Sequence, residues 1–143
     1  MSDRYSISID PEMSEEDHET LLDGLIAAGE RHAPPRGYEL LAFSLRDERG
    51  KLRGGLLGST LWNWLQVEIL WIDEPLRGSG FGRELLKAAE KHARSIGCQM
   101  ARLDTFDFEA LGFYEKEGYQ IYGQLEGFPA GHTQFHLKKA LTA

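Results

Sequence analysis

The alternation of apolar and polar residues along the chain predicts a protein of short strands and a few helices. Alternation, or a continuous apolar run of strand length, predicts strands at residues 5–9, 38–45, 52–61, 64–72, 100–105, 119–125 and 132–138. Apolar residues at helical spacing predict helices at residues 14–33, 81–96 and 108–117. The chain is therefore predicted to have an α/β fold.

The order of these elements predicts how the strands lie in one sheet. Residues 47–50 are typical of a hairpin turn, so the strands on either side of them are predicted to be antiparallel. Later strands alternate with helices, and such crossings place neighbouring strands parallel. The sequence thus predicts a central mixed sheet with helices on both faces. In the helix at 81–96, the predicted buried stripe is Leu85, Leu86, Ala89, Ala93 and Ile96, with Lys87, Glu90, Lys91 and Arg94 facing solvent.

A glycine-rich loop joins the strand at 64–72 to the helix that follows, and it reads Arg77-Gly78-Ser79-Gly80-Phe81-Gly82. Alternate glycines let backbone N–H groups point into one concavity, and the helix N-terminus behind them adds partial positive charge. Arg77 and Arg83 flank the loop and can pair with phosphate oxygens. The loop is therefore interpreted as a pyrophosphate site for a nucleotide-containing cofactor. The alternative is a plain turn that joins strand to helix.

Two common phosphate-binding motifs do not fit this loop. A P-loop needs Lys followed by Ser or Thr after its last glycine, and Arg83 and Glu84 stand there, which argues against ATP by that route. A dinucleotide-binding loop has the spacing G-x-G-x-x-G after the first strand of its fold. Here the spacing is G-x-G-x-G, and several predicted strands precede it.

Two segments resemble conserved segments of the GNAT family of N-acetyltransferases. Arg77-x-x-Gly80-x-Gly82, after an apolar strand, is similar to the acetyl-CoA loop of that family. Residues 110–119, which read Ala-Leu-Gly-Phe-Tyr-Glu-Lys-Glu-Gly-Tyr, are similar to its second conserved segment, and the two segments stand in the family's order. The resemblance covers residues 39–137. Residues 126–132 and 135–139 also resemble a subgroup of small, mostly uncharacterised bacterial members.

The resemblance implies a fold and a cofactor. The implied fold is a mixed, mostly antiparallel central sheet of six to seven strands with flanking helices and a splayed strand pair, in a single domain over residues 1–143. Acetyl-CoA would lie between the splayed strands as co-substrate, without a metal. Asp107 stands where the family often has an asparagine and is included among the cofactor contacts, although its charge is unfavourable near a diphosphate. The other implied cofactor contacts are Leu70, Trp71, Ile72, Arg77, Gly78, Ser79, Gly80, Phe81, Gly82 and Arg83.

The resemblance also implies catalytic roles. Acetyl transfer from a thioester to an amine needs a neutral amine, a donor for the developing oxyanion and a proton for the leaving thiolate. Tyr114 corresponds to the family's usual general acid. Alternatively, it is an aromatic residue that only packs its helix against the rest of the protein. Glu68 lies where an acidic residue often deprotonates the amine. An acid within such an apolar run lies either on the solvent face of the strand or in a pocket.

The acceptor side of the site is less defined by the sequence. His132 follows a Pro-Ala-Gly turn and can bind substrate or relay a proton, or it can simply cap the last strand. Trp62 can line an acceptor pocket through cation–π or stacking contacts, or it can pack in a core or a dimer interface. The predicted acceptor is a small-molecule or peptide amine.

Composition limits the location and the partners. The net charge of −7 argues against nucleic acid, and no apolar run approaches the length of a membrane span. The N-terminus lacks the apolar region of a signal peptide, and the single cysteine, Cys98, fits a reducing compartment, so a cytoplasmic location is expected. Cys98 is predicted to be a small core residue, and no Cys/His cluster has metal spacing. A homodimer is compatible with a family member of this size.

The sequence therefore predicts an N-acetyltransferase that moves acetyl from acetyl-CoA to a primary amine. Direct attack in a ternary complex is favoured, because no well-placed cysteine suits a covalent acetyl-enzyme. The main alternative is a non-catalytic CoA-binding sensor or interaction module on the same fold. A further alternative is an enzyme that uses a longer acyl-CoA.

Overall fold

The computed structural model describes residues 4–142, and the chain divides into two compact units, one ending at Pro35 and the other beginning at Arg36. The first unit contains helix α1, Glu15–Gly29. Ser14 caps this helix, because its hydroxyl accepts a 3.1 Å hydrogen bond from the Asp17 N–H. The helix ends at Gly29, short of the predicted end near residue 33. The single-domain organisation stays a prediction, and residues 1–3 and 143 lie outside the described residues.

The strand predicted at residues 5–9 is wrong, because these residues have no regular secondary structure. Ile7 and Ile9 are 103% and 92% exposed, so their alternation with polar residues buries neither side chain. A strand persists only where its N–H and C=O groups pair with a neighbour. No strand of the described sheet pairs with this segment.

The second unit is built on one six-stranded sheet in the order β1-β2-β3-β4-β6-β5. Every pair of neighbouring strands is antiparallel except β3 and β4, which are parallel, so the predicted mixed and mostly antiparallel sheet is confirmed. Helices α2 and α3 precede β4 and β5 in the chain. The bounds are β1 Glu39–Arg46, β2 Leu52–Leu61, β3 Trp64–Ile72, α2 Phe81–Ser95, β4 Met100–Phe106, α3 Leu111–Lys116, β5 Gln120–Glu126 and β6 Thr133–Ala140.

The two parallel strands stay paired over only part of their length. Their register runs from Trp64 opposite Met100 to Val67 opposite Leu103, and no pair follows within the described strands. A β-bulge stands at the same level, because Gly58 and Leu57 of β2 pair with Val67 and Ile69 and leave Glu68 as an extra residue. A bulge bends its strand and increases its twist. The predicted splay of the central strands therefore begins at Glu68.

Helix α2 packs on one face of the sheet and contributes much of the core. The predicted stripe is right for Leu85, Leu86, Ala89 and Ala93, which are all buried. It is wrong for Ile96, which caps the end of the helix and is 42% exposed. The pattern fails there because the helix ends at Ser95 and the chain turns away towards β4.

Glu90 is the second correction in this helix, because it is buried rather than turned to solvent. Only 3% of its surface is exposed. Its carboxylate accepts a 2.7 Å hydrogen bond from the Tyr119 hydroxyl and bonds of 2.9 and 3.1 Å from Lys139 Nζ. A buried charge is tolerated only when it is paired and hydrogen-bonded, and both partners come from segments distant in the sequence.

Candidate active site

The sheet face opposite α2, which we call the distal face, carries polar side chains that include Ser59, Glu68, Asp104 and His136. Asp104 lies between the buried residues Leu103 and Thr105, so strand alternation turns it away from the core. His136 is the cross-strand partner of Asp104. The Ser59 hydroxyl donates a 3.5 Å hydrogen bond to Glu68 Oε1, which places the Glu68 carboxylate on the same face. Glu68 and Asp104 directly follow the last paired residues of β3 and β4, so these two carboxylates lie where the splay begins.

The glycine-rich loop has the backbone conformation that a phosphate cradle needs. Gly78 and Gly80 have φ values of 81° and 88°, in the left-handed region that side-chain-bearing residues rarely adopt. Gly80 is also the N-cap of α2 and offers no side chain to its first amides. These amides and the helix dipole are therefore available to an anion.

The two arginines that flank this loop contact protein groups. Arg77 Nε donates a 2.8 Å hydrogen bond to the Ile72 carbonyl oxygen, which fastens the loop to the end of β3. Arg83 Nε lies 3.4 Å from Glu117 Oε1, and the Arg83 side chain is 60% exposed. Both guanidinium groups retain further N–H donors, because each carries five.

The second conserved segment lies directly against the loop. A β-carbon at Gly82 would stand 3.7 Å from the Phe113 ring and 3.9 Å from the Ile72 side chain. Helices α2 and α3 and the end of β3 therefore meet at Gly82, with room for an ordinary van der Waals contact there. Tyr114, the residue after Phe113, is brought to the splayed end of the sheet by this contact.

Tyr114 is buried, and its ring packs between those of Phe113 and Tyr119 at centroid distances of 5.1 and 5.9 Å. Burial and, secondarily, the negative charge of Glu109 raise the pKa of Tyr114 to about 12. The phenol therefore stays protonated throughout the neutral and mildly alkaline range. It can therefore donate a hydrogen bond at neutral pH.

Glu68 lies at the entrance of the splay and is exposed. The sequence allows this acid to lie either on the solvent face of the strand or in a pocket. In the structure it lies on the solvent face, on the side of the strand that also carries Ser59. Leu70, Trp71 and Ile72 follow it on β3, beyond the last residue paired with β4. The β4-facing backbone of these residues can pair with an extended ligand, as an added strand would.

Asp107 and His132 form a pair just beyond β4. His132 Nδ1 lies 2.9 Å from Asp107 Oδ1, and the Thr133 N–H donates a 3.2 Å hydrogen bond to Asp107 Oδ2. The Phe108 ring meets the imidazole edge-on at 4.9 Å. Asp107 therefore holds the β5–β6 loop in place, and its contact with a cofactor stays a prediction.

A second Asp–His pair, Asp104 and His136, was missed by the sequence reasoning. Asp104 Oδ1 lies 2.6 Å from His136 Nδ1, and the two side chains are 39% and 25% exposed. The only sequence signal is that each occupies an outward position of its strand. Their contact depends on the long-range pairing of β4 with β6, which no local pattern specifies.

Trp62 lies apart from these residues. Together with Asn63 it forms the β2–β3 turn, at positive φ values of 48° and 62°. The Arg36 guanidinium lies 5.1 Å from the centre of its ring. This turn precedes β3 whereas the glycine loop follows it, so Trp62 and the splay are at opposite ends of that strand. The structure does not bring Trp62 together with Glu68 or Tyr114.

Cys98 is buried with 5% of its surface exposed, which confirms its predicted place in the core. Burial and, secondarily, the charge of Glu39 raise the pKa of its thiol, so the reactive thiolate is disfavoured. Within residues 4–142, no group of three or more His, Cys, Asp and Glu side chains is arranged to hold a metal ion. Over the same residues, no helix combines the length and the apolar character needed to cross a bilayer.

Comparison with known proteins gives one consistent family. The sequence model of the Acetyltransferase (GNAT) family matches residues 5–119. Blasticidin-S acetyltransferase of Streptomyces morookaense is 41% identical over 107 residues, which cover 74% of this chain and 79% of that protein. A crystal structure of an acetyltransferase from Bacillus cereus ATCC 14579 superposes with a TM-score of 0.83 at 30% identity, over 93% of this chain and 97% of that one. A structure from Bacillus anthracis str. Ames, which holds acetyl coenzyme A, shares the fold with a TM-score of 0.64 at 20% identity, over 75% of this chain and 64% of that one.

Proposed function

Because this chain belongs to the GNAT acetyltransferase family and is an acyl-CoA-dependent N-acetyltransferase, we propose that it transfers acetyl from acetyl-CoA to a primary amine by direct attack in a ternary complex. The observation that carries the proposal is the convergence of three features at one end of the sheet. These are the splay that begins at Glu68, the glycine loop after β3, and the buried Tyr114 beside that loop.

Acetyl-CoA is proposed to bind along β3 and across the glycine loop. The peptide-like pantetheine arm pairs with the free backbone edge of Leu70, Trp71 and Ile72. The pyrophosphate lies on the amides of residues 78–83 at the N-terminus of α2, where the helix dipole favours negative charge. The acetyl-CoA complex of a protein with the same fold supports this choice of cofactor.

Tyr114 is proposed to stabilise the leaving thiolate. An alkyl thiol has a pKa of about 8.5, so full proton transfer from a phenol of pKa about 12 is uphill by roughly 5 kcal/mol. A hydrogen bond to the developing thiolate requires no such transfer, and it strengthens as negative charge grows on sulfur. The raised pKa therefore favours hydrogen-bond donation by Tyr114 over early proton transfer.

Glu68 is proposed to bind the acceptor as an ammonium ion and to take its first proton. Its carboxylate is exposed at the entrance of the splay, where an amine that approaches from the distal face would meet it. The neutral amine then attacks the thioester carbonyl carbon. His132 is proposed to contact the remainder of the acceptor from the β5–β6 loop, held by Asp107.

The acceptor is proposed to be a small cationic amine. The chain carries 23 acidic against 16 basic residues, which favours cations on approach. The similarity to blasticidin-S acetyltransferase makes blasticidin S the first compound to test. Polyamines, amino acids and N-terminal peptides belong in the same panel, because nothing in the β5–β6 loop selects among them.

Turnover of this panel with acetyl-CoA tests the proposal, together with thermal unfolding in the presence of acetyl-CoA, CoA, NAD and ATP. A ligand at about 100 times its Kd adds about 2.7 kcal/mol to stability. Stabilisation by acetyl-CoA and CoA alone, with acetylation of at least one amine, is the expected result. Glu68→Gln is expected to lower kcat by about 100-fold or more, and Glu48→Gln in the exposed β1–β2 turn serves as the matched control.

Two results would contradict the proposal. Stabilisation by NAD or ATP but not by CoA compounds would mean that the glycine loop binds a different cofactor. Stabilisation by acetyl-CoA without turnover of any amine would favour the CoA-binding sensor. An unchanged kcat in Glu68→Gln would remove that residue from the mechanism while leaving the cofactor assignment intact.

A further inference from the structure

We propose that Tyr119, anchored by Glu90, is a positioning residue that holds the Tyr114 hydroxyl in place relative to the bound cofactor. This inference rests on the proposed function, in which that hydroxyl stabilises the leaving thiolate. A donor acts on a reacting atom only at the correct distance, and a misplacement of about 1 Å can lower a rate about 100-fold. Helix α3 has only six residues, so the position of Tyr114 depends on contacts outside that helix.

Tyr119 is joined to Tyr114 by the backbone turn that ends α3. The Tyr119 N–H donates a 3.0 Å hydrogen bond to the Tyr114 carbonyl oxygen, and the Gly118 N–H donates one of 3.1 Å to the carbonyl oxygen of residue 115. Gly118 has a φ of 96°, in the left-handed region. These features form a Schellman motif, in which a side-chain contact often accompanies the longer backbone bond. The two tyrosine rings make that contact, at 5.9 Å between centroids.

The other end of the Tyr119 side chain is anchored to helix α2. Its hydroxyl donates a 2.7 Å hydrogen bond to Glu90 Oε2, and Lys139 Nζ donates a 2.9 Å bond to Glu90 Oε1. A hydrogen bond to a carboxylate that is paired with a cation is among the strong ones. Tyr119 and Glu90 are 2% and 3% exposed, so solvent does not compete for this bond. Tyr119 is therefore held at both ends.

Helix α3 thus contacts α2 at two separate points. At the first, the Phe113 ring lies against Gly82, where a β-carbon would stand 3.7 Å from the ring. At the second, Tyr119 reaches Glu90. Gly82 and Glu90 are about 12 Å apart along α2, at 1.5 Å per residue. One contact would leave α3 free to pivot, whereas two contacts at this spacing set both its position and its tilt.

The proposed pyrophosphate site lies at the N-terminus of the same helix, because Gly80 is the N-cap of α2. A cofactor bound there and the anchored Tyr119 are therefore held by one helix. Within residues 4–142 the Tyr114 hydroxyl has no hydrogen-bond partner of its own, so its position follows from the packing of its ring. Of the two rings that contact Tyr114, that of Tyr119 is the one hydrogen-bonded to α2.

A double-mutant cycle tests the positioning role, with the amine of the panel that gives the highest kcat. Tyr119→Phe keeps the ring and removes only the hydroxyl. We expect its kcat to fall about 10-fold, with the Kd for acetyl-CoA within about twofold of wild type. In a Tyr114→Phe background the same substitution is expected to change kcat by less than about twofold, because Tyr119 acts through the Tyr114 hydroxyl. Equal losses in both backgrounds would overturn the inference, since a purely structural residue lowers both rates alike.

Conservative variants at Glu90 test the anchor without altering either tyrosine. Glu90→Gln keeps a group that can hydrogen-bond the phenol and is expected to keep kcat within about threefold of wild type. Glu90→Ala removes the anchor and is expected to lose as much kcat as Tyr119→Phe. The matched control is Tyr122→Phe on β5, where the side chain is half exposed and kcat is expected to be unchanged. Equal kcat values in Glu90→Gln and Glu90→Ala would overturn the anchoring role.

Two readouts separate this inference from the proposed function. A normal kcat in Tyr114→Phe would remove the proposed role of that hydroxyl, and the inference with it. A reduced kcat in Tyr114→Phe but not in Tyr119→Phe would overturn only the inference. NMR of the Tyr114 ring in the acetyl-CoA complex needs no acceptor, and its signals are expected to shift in Glu90→Ala but not in Tyr122→Phe. Unchanged ring signals in Glu90→Ala would overturn the inference even where no amine is turned over.

Discussion

The Tyr119 hydroxyl donates a 2.7 Å hydrogen bond to the Glu90 carboxylate, which joins the residue before β5 to the middle of α2. Lys139 on β6 completes the group with bonds of 2.9 and 3.1 Å to the same carboxylate. Glu90 is almost wholly buried, so its charge depends on these two partners. The group therefore ties the helix that begins at the glycine loop to the far half of the sheet.

Lys139→Met is expected to destabilise the protein by about 3–5 kcal/mol, because it leaves the Glu90 carboxylate buried without a cation. Urea unfolding measures this change. Lys138→Met, at the exposed neighbouring position, is the matched control and is expected to change stability by less than about 1 kcal/mol. Equal effects of the two substitutions would show that the Glu90 pair contributes no more than a surface contact.

Tyr119 makes stability depend on alkaline pH. Burial, followed by the charge of Glu90, raises the pKa of Tyr119 above its ordinary value of about 10. Above that ordinary value the unfolded chain loses the phenolic proton while the folded protein keeps it, so the free energy of unfolding falls as pH rises. Tyr119→Phe is expected to reduce this alkaline dependence in urea unfolding at a series of pH values. The same slope in both proteins would refute the expectation.

Gly80→Ala is expected to weaken acetyl-CoA binding by about 5- to 30-fold. The residue has a φ of 88°, and holding a side-chain-bearing residue there costs about 1–2 kcal/mol, so the loop relaxes away from the geometry that aims its amides. Isothermal titration calorimetry with acetyl-CoA measures the affinity. Gly24→Ala in α1, where a β-carbon would meet nothing within 4 Å, is the control. Wild-type affinity in Gly80→Ala would mean that the loop conformation is not required.

Tyr114→Phe is expected to lower kcat by about 100-fold or more while the Kd for acetyl-CoA is unchanged, because the hydroxyl acts on the leaving thiolate. The pKa of about 12 means that the acidic form persists, so kcat of the wild-type enzyme is expected to show no alkaline decline from this group below about pH 11. Pre-steady-state and steady-state rates against pH check both points. A normal kcat in Tyr114→Phe would show that Tyr114 contributes only to packing and not to catalysis.

Asp107→Ala distinguishes the two roles that this residue has been given. Loss of the carboxylate removes its bonds to His132 and to the Thr133 N–H, so amide hydrogen exchange across residues 127–133 is expected to accelerate. The affinity for acetyl-CoA is expected to stay within about twofold of the wild-type value. A large loss of affinity with unchanged exchange would instead support the predicted contact with the cofactor.

The sequence predicted well wherever local chemistry sets the structure. The bounds of β2 and β3 follow from apolar runs, and the glycine loop follows from residues that permit positive φ. Prediction failed where distant residues decide. The apolar alternation of residues 5–9 does not supply a pairing partner, and the polarity of Glu90 gives no sign of Lys139 or Tyr119.

The amino-acid sequence by itself thus determined the order and type of most elements, the positive-φ conformation of the glycine loop and the presence of Tyr114 in the second segment. These depend on backbone freedom, capping and periodicity within a few residues of one another. Only the tertiary structure decided that β6 lies between β4 and β5, which brings His136 to Asp104. It also decided that the β3–β4 pairing ends at Val67 beside a bulge. Strand order and the extent of pairing depend on contacts between residues far apart in the chain, and local sequence patterns do not specify those contacts.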